Sequence, residues 1–112
     1  MTMVETGYRY AELYWAGADR NWGYAEYQLD KIRQTVELGI QRRPKRAASA
    51  RLFLDTAVPA LQRALDGKDP AVWDRQFTFF TAACNVCHAM EQVPFIAVHP
   101  PEQRLSTVKF NP

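Results

Sequence analysis

Apolar positions recur at helical spacing in four stretches of this chain, separated by short polar, glycine- or proline-bearing turns. In the first, Val4, Tyr8, Ala11, Trp15 and Ala18 step by four and three, which predicts an amphipathic helix with that stripe as its apolar face. Gly17 and the residues from Asp19 to Asn21 mark a turn. The second stretch carries Trp22, Ala25, Leu29, Ile32 and Val36, with Asn21 as its N-cap, and fades around Gly39 and Pro44. The third, from about Ala48 to Asp66, places Leu54, Val58, Leu61 and Leu65 on one face. Pro59 falls inside it and predicts a kink or a restart, because proline has no amide hydrogen and crowds the preceding turn. Gly67 is the expected C-terminal cap. The fourth opens with Asp69 as N-cap and Pro70 at the first helical position, then runs Trp73, Phe77, Phe80, Cys84 and Cys87 along one stripe.

Four amphipathic helices joined by short turns predict an all-α fold, an antiparallel four-helix bundle. At 112 residues the chain makes one domain, with a helical core over about 4–93 and an irregular tail over 94–112. The tail holds Pro94, Pro100, Pro101 and Pro112 and is expected to run extended or irregular, packing through Phe95, Ile96 and Val98 over the edge of any flat group the bundle holds. Six Phe, five Tyr and three Trp are many for this length, enough to enclose a large flat apolar group or to fill an ordinary core. The net charge of +2 points to no strongly charged partner, and no apolar run reaches the roughly 20 residues of a membrane span.

The chemistry concentrates in Cys84-Asn85-Val86-Cys87-His88. Cys-x-x-Cys-His is the attachment signature of a c-type haem: two thiols on one helix face form thioethers with one porphyrin, and the adjacent histidine reaches the iron as proximal ligand. The motif uses both cysteines and one of the two histidines. Three other readings compete. A redox Cys-x-x-Cys pair belongs at a helix start, where the dipole lowers a thiol pKa, whereas this pair comes late in a helix. A zinc site from Cys84, Cys87, His88 and His99 would crowd three ligands onto one side of a tetrahedral ion. A disulfide between i and i+3 of a helix would be strained and would close almost no chain.

With a bundle and this motif late in its last helix, the chain resembles the class II c-type cytochromes, the cytochrome c′ and cytochrome c-556 group, over roughly residues 4–93. The resemblance implies one covalent haem c held by Cys84 and Cys87, with His88 as proximal iron ligand and the first helix facing the distal side. It also implies a homodimer formed through the first two helices, and covalent haem attachment, which takes place outside the bacterial cytoplasm, points to a soluble periplasmic protein. In that group the chain ends soon after the motif; here about two dozen residues follow it.

Function then turns on the distal side of the iron. A methionine or histidine there makes a six-coordinate electron carrier, whereas a non-ligating wall leaves a site for nitric oxide or carbon monoxide. Met3, at the head of the first helix, is the candidate distal ligand; His99 is a weaker one, more in keeping with a solvated loop. Met90 reads as filler. Tyr10, Leu13 and Tyr14 belong to the first helix, and some of them must face the interior, packing over the metal or donating to a bound gas. Trp15 and Trp22 read as core anchors ahead of redox relays.

Arg42, Arg43, Lys45, Arg46 and Arg51 gather at the turn between the second and third helices, as a solvated loop or a docking patch for an acidic redox partner. Arg63 and Arg75 are candidates for haem propionates. No nucleic-acid motif accompanies these charges. Nor does any Ser/His/Asp set or glycine-rich phosphate loop point to an enzyme. The expected function is electron transfer by a soluble c-type cytochrome, with gas binding as the alternative and a module of a longer redox enzyme as a third class. Nothing at the start has the order of a signal peptide, so an export signal is expected to have preceded Met1, or the chain to be a fragment of a longer one.

Overall fold

The computed structural model describes residues 2–109; Met1 and residues 110–112, Pro112 among them, lie outside the described residues. Four α-helices follow in order: α1 (Thr2–Ala18), α2 (Trp22–Arg42), α3 (Val58–Gly67) and α4 (Pro70–Met90). No strand occurs among the described residues, and the helices pack as a four-helix bundle.

The caps read from the sequence are in place. The Asn21 side chain accepts from the Tyr24 N–H, and Asp69 accepts from the N–H groups of Ala71 and Val72 with Pro70 behind it. Each pairs a donor that the helix itself leaves orphaned. The C-terminal cap of α3 is a correction. Gly67 is its last helical residue, and Lys68 takes the left-handed conformation at φ 53°, its N–H reaching the carbonyls of Ala64 and Leu65. The helix includes the glycine instead of stopping before it, so the left-handed backbone falls on lysine.

The face of α1 is a second correction. Val4 and Tyr8 are exposed, and the buried side is instead Thr6, Tyr10, Leu13 and Gly17, stepping four, three and four. This helix is apolar on both sides, so periodicity alone does not choose the face. α2 follows its expected stripe, with Ala25, Leu29 and Ile32 buried.

Between α2 and α3 a short 3₁₀ turn (Pro44–Arg46) leads into a π-helical turn (Phe53–Ala57) that joins α3 directly. The widening answers Pro59, whose ring would press on the carbonyl four residues back and which has no N–H to bond it. The Val58 N–H instead reaches back five residues to Phe53. The extra residue shifts the helical phase, so Phe53 and Ala57 turn inward ahead of Leu61, while Leu54 is only half-buried.

The core is aromatic. Phe80 is fully buried and stacks among Phe53 at 4.9 Å, Phe77 at 5.9 Å and Tyr10 at 6.4 Å. Truncating such a ring to alanine costs about 3–5 kcal/mol. Tyr10 meets Thr81 and Gly17 meets Trp73, so α1 and α4 run antiparallel in a register that carries the head of α1 toward the last turns of α4.

Candidate functional site

Cys84, Cys87 and His88 occupy the last turns of α4, continuing the Trp73, Phe77 and Phe80 stripe. Both cysteines are free thiols and both are partly buried. Burial pushes the Cys84 thiol up to about 12, with the neighbouring Cys87 adding to the rise. Cys87 is also raised, by burial first and by Glu91 second, against an opposing pull from Arg46. These shifts run opposite to the lowered pKa of a redox-active Cys-x-x-Cys pair.

The histidine is held by the tail. His88 Nδ1 lies 2.5 Å from the carbonyl oxygen of Ile96. A carbonyl only accepts, so Nδ1 carries the hydrogen and the neutral ring keeps its lone pair on Nε2. That is the arrangement of a metal-ligating histidine, whose other ring nitrogen donates to a backbone carbonyl or carboxylate.

Beside it, Asn85 Nδ2 donates to the Val98 carbonyl at 2.9 Å, and the Val98 N–H donates to Asn85 Oδ1 at 2.7 Å. α4 ends between these contacts. The Glu91 N–H bonds the Cys87 carbonyl, Gln92 turns through φ 63°, and the Val93 N–H returns to the His88 carbonyl at 2.8 Å.

From there the tail crosses the molecule as a strap. Arg104 makes a two-pronged ion pair with Asp19, and its guanidinium lies 5.1 Å from the Trp15 ring centroid. Ser106 reaches the buried Glu12, which also accepts from the Tyr24 hydroxyl. Trp15 is therefore covered by the tail, on the side of α1 away from the core stripe. Of the three tail side chains expected to pack, only Val98 does; Phe95 and Ile96 are exposed, a correction whose cause is that the strap is held by its backbone and polar contacts.

The remaining candidates fall as follows. Met3 is 54% exposed, seven residues before Tyr10, at the end of α1 that runs toward the last turns of α4. His99 is exposed, with Nδ1 turned to the Pro100 carbonyl at 2.9 Å. Met90 is exposed on the surface. Tyr10 donates to Thr81 Oγ1 at 2.7 Å, because the Thr81 hydroxyl spends its own hydrogen on the Phe77 carbonyl. Leu13 is fully buried, and Tyr14 packs on Phe77. Trp22 meets Trp73 edge-on at 5.6 Å. Arg63 and Arg75 are exposed.

The basic turn lies closer to the motif than the sequence implies. Arg46 pairs with Glu91 at 3.3 Å and Ser49 donates to the same carboxylate at 2.6 Å, which brings Arg46 and Ser49 to the end of α4. Val86, Met90, Phe95 and Ile96 are exposed apolar groups on and just after the motif. Two surface depressions lie elsewhere, one of about 270 Å³ against Trp22 and Leu65, the other of about 500 Å³ between Arg9 and Lys31. No group of three or more His, Cys, Asp or Glu suited to a metal ion occurs among the described residues. No helix among them is long and apolar enough to cross a membrane.

Sequence reasoning missed Asn85 and the Ile96 carbonyl. The signal for Asn85 was there: asparagine is a poor residue for a helix interior, and its presence near a helix end points to a side-chain bond with backbone. A backbone carbonyl has no sequence signal. No family model, curated protein or solved structure matches the chain.

Proposed function

We propose that this chain is a c-type cytochrome carrying one covalent haem and transferring single electrons. The observation that carries the reading is His88: its Nδ1 is bonded to Ile96, its Nε2 is left with the lone pair, and two free thiols stand one and four residues before it on the same helix. The residues fit the group. Cys84 and Cys87 would hold the group through thioethers, each thiol adding across one vinyl with its hydrogen passing to the neighbouring carbon. No thiolate relay or leaving group is needed, so protonated, partly buried thiols suit this attachment. The exposed apolar side chains at this end suit a flat porphyrin edge.

When bound, the haem supplies an iron couple that gains or loses one electron. Cys84 and Cys87 would hold it, His88 would ligate it, and Met3 is the proposed distal ligand, at the end of α1 that runs toward the last turns of α4. The basic turn beside the motif is the proposed docking side for an acidic redox partner. Attachment of this kind takes place outside the bacterial cytoplasm, so the proposed location is the periplasm.

The test is expression together with the attachment machinery, followed by acid-acetone extraction and absorption spectra. Haem that stays with the wild-type chain but leaves Cys84→Ala/Cys87→Ala supports the reading. Haem that extracts freely from the wild type ends it. A ferrous spectrum shifted by carbon monoxide would replace electron transfer with gas binding at an open distal site.

A further inference from the structure

We propose that Asn85 is the positioning residue for His88: it clamps the strap so that the Ile96 carbonyl meets His88 Nδ1 and leaves Nε2 as the coordinating nitrogen. For its purpose the inference rests on the reading of His88 as an iron ligand; its test does not.

Three observations carry it. The Asn85 amide matches both backbone groups of Val98, at 2.9 and 2.7 Å, as a neighbouring backbone would. Val98 is two residues from Ile96, so fixing the one places the carbonyl of the other within a short, extended span. Side-chain packing at the carbonyl itself does little, because Phe95 is 81% and Ile96 53% exposed; Val98 does pack against the core, but an apolar contact sets no orientation for its backbone, which the paired bonds from Asn85 do.

The other restraints on the strap are weaker at this point. The turn at Val93 ties the Ile96 N–H to the Val93 carbonyl at 3.0 Å, which fixes where the segment starts but leaves its far side open. The Arg104–Asp19 pair lies six residues beyond Val98, too far along an irregular segment to set one carbonyl. Asparagine suits the role because it alone among helix-tolerated side chains of this length offers one donor and one acceptor in one plane. A carbonyl that accepts from the non-coordinating ring nitrogen fixes the ring orientation and the tautomer of a ligating histidine.

The experiment reads the imidazole nitrogens of the isotope-labelled full chain by nuclear magnetic resonance, without haem, at a pH where the ring is neutral. His99→Gln serves as common background so that one histidine is observed. In this background His88 is expected mainly as the Nδ1–H form. Asn85→Ala is expected to lower the ratio of Nδ1–H to Nε2–H about fivefold, the equivalent of one net hydrogen bond. Asn85→Asp, which keeps the acceptor for Val98 and loses the donor, is expected to fall between the two. Should Asn85→Ala fail to fold by circular dichroism, Asn85→Asp decides. An unchanged tautomer ratio in a folded Asn85 variant overturns the proposal. A shifted ratio in a chain that never retains haem upholds the positioning role and removes the haem reading instead.

Discussion

Trp73 lies so close over Gly17 that a β-carbon at position 17 would overlap its indole nitrogen. Gly17 has an ordinary helical backbone, so the requirement is space and not conformation. Here α1 and α4 make their tight contact, and the motif lies toward the opposite end of α4. At Gly7, ten residues toward the head of α1, an added β-carbon would meet nothing within 4 Å. Gly17→Ala is therefore expected to cost about 1–3 kcal/mol as the indole is displaced. Gly7→Ala should be neutral or stabilise by roughly 0.5–1 kcal/mol through helix propensity. Urea denaturation of the two variants checks the pair; equal effects would refute the asymmetry.

The strap should be releasable without unfolding the bundle. Arg104 joins Asp19 and covers Trp15, and both ends of the ion pair are partly shielded. Arg104→Ala is expected to free the strap from α1, because both prongs of the ion pair to Asp19 and the cover over Trp15 are lost together. Trp15 emission should shift to longer wavelength, and limited proteolysis should cut beyond Val98. An unchanged cleavage pattern would show that the Asn85 and Ser106 contacts hold the strap without Arg104.

Alkaline pH should loosen the fold in a defined window. Burial raises Tyr10 and Tyr24 from 10.0 to about 12, and Cys84 from 9.0 to about 12. The folded state keeps these protons to higher pH than the unfolded chain does. The corresponding stability is complete below pH 9 and is lost as pH rises from 9 toward 12. Melting curves across that range should show a decline that Tyr10→Phe makes shallower. In the haem-loaded protein the Cys84 share should vanish, since a thioether has no proton to lose.

If Met3 closes the distal side, its loss should open the iron. Met3→Ala is expected to change a low-spin, carbon-monoxide-insensitive spectrum into a high-spin one that shifts with the gas. A wild type that is already high-spin, or a variant that stays low-spin, would remove Met3 from the coordination sphere. Stability should hardly change, since the side chain is exposed.

Much of this protein was determined by sequence alone, and for local reasons. The caps at Asn21 and Asp69, the stripes of α2 and α4 and the Cys84, Cys87 and His88 run follow from bonds and spacings within a few residues. Tertiary structure decided the rest. α1 is apolar on two sides, and only the approach of α4 at Gly17 and Tyr10 chose which side to bury. Pro59 predicted a disturbance, but its form, a π turn that brings Phe53 inward, depended on what the core had room to accept. The tail read as irregular, and it is; yet its contacts with His88, Asn85, Asp19 and Glu12 span up to 94 residues of chain, a distance over which no local pattern carries information. The motif names the histidine, but the backbone folded against it determines which of its nitrogens is free.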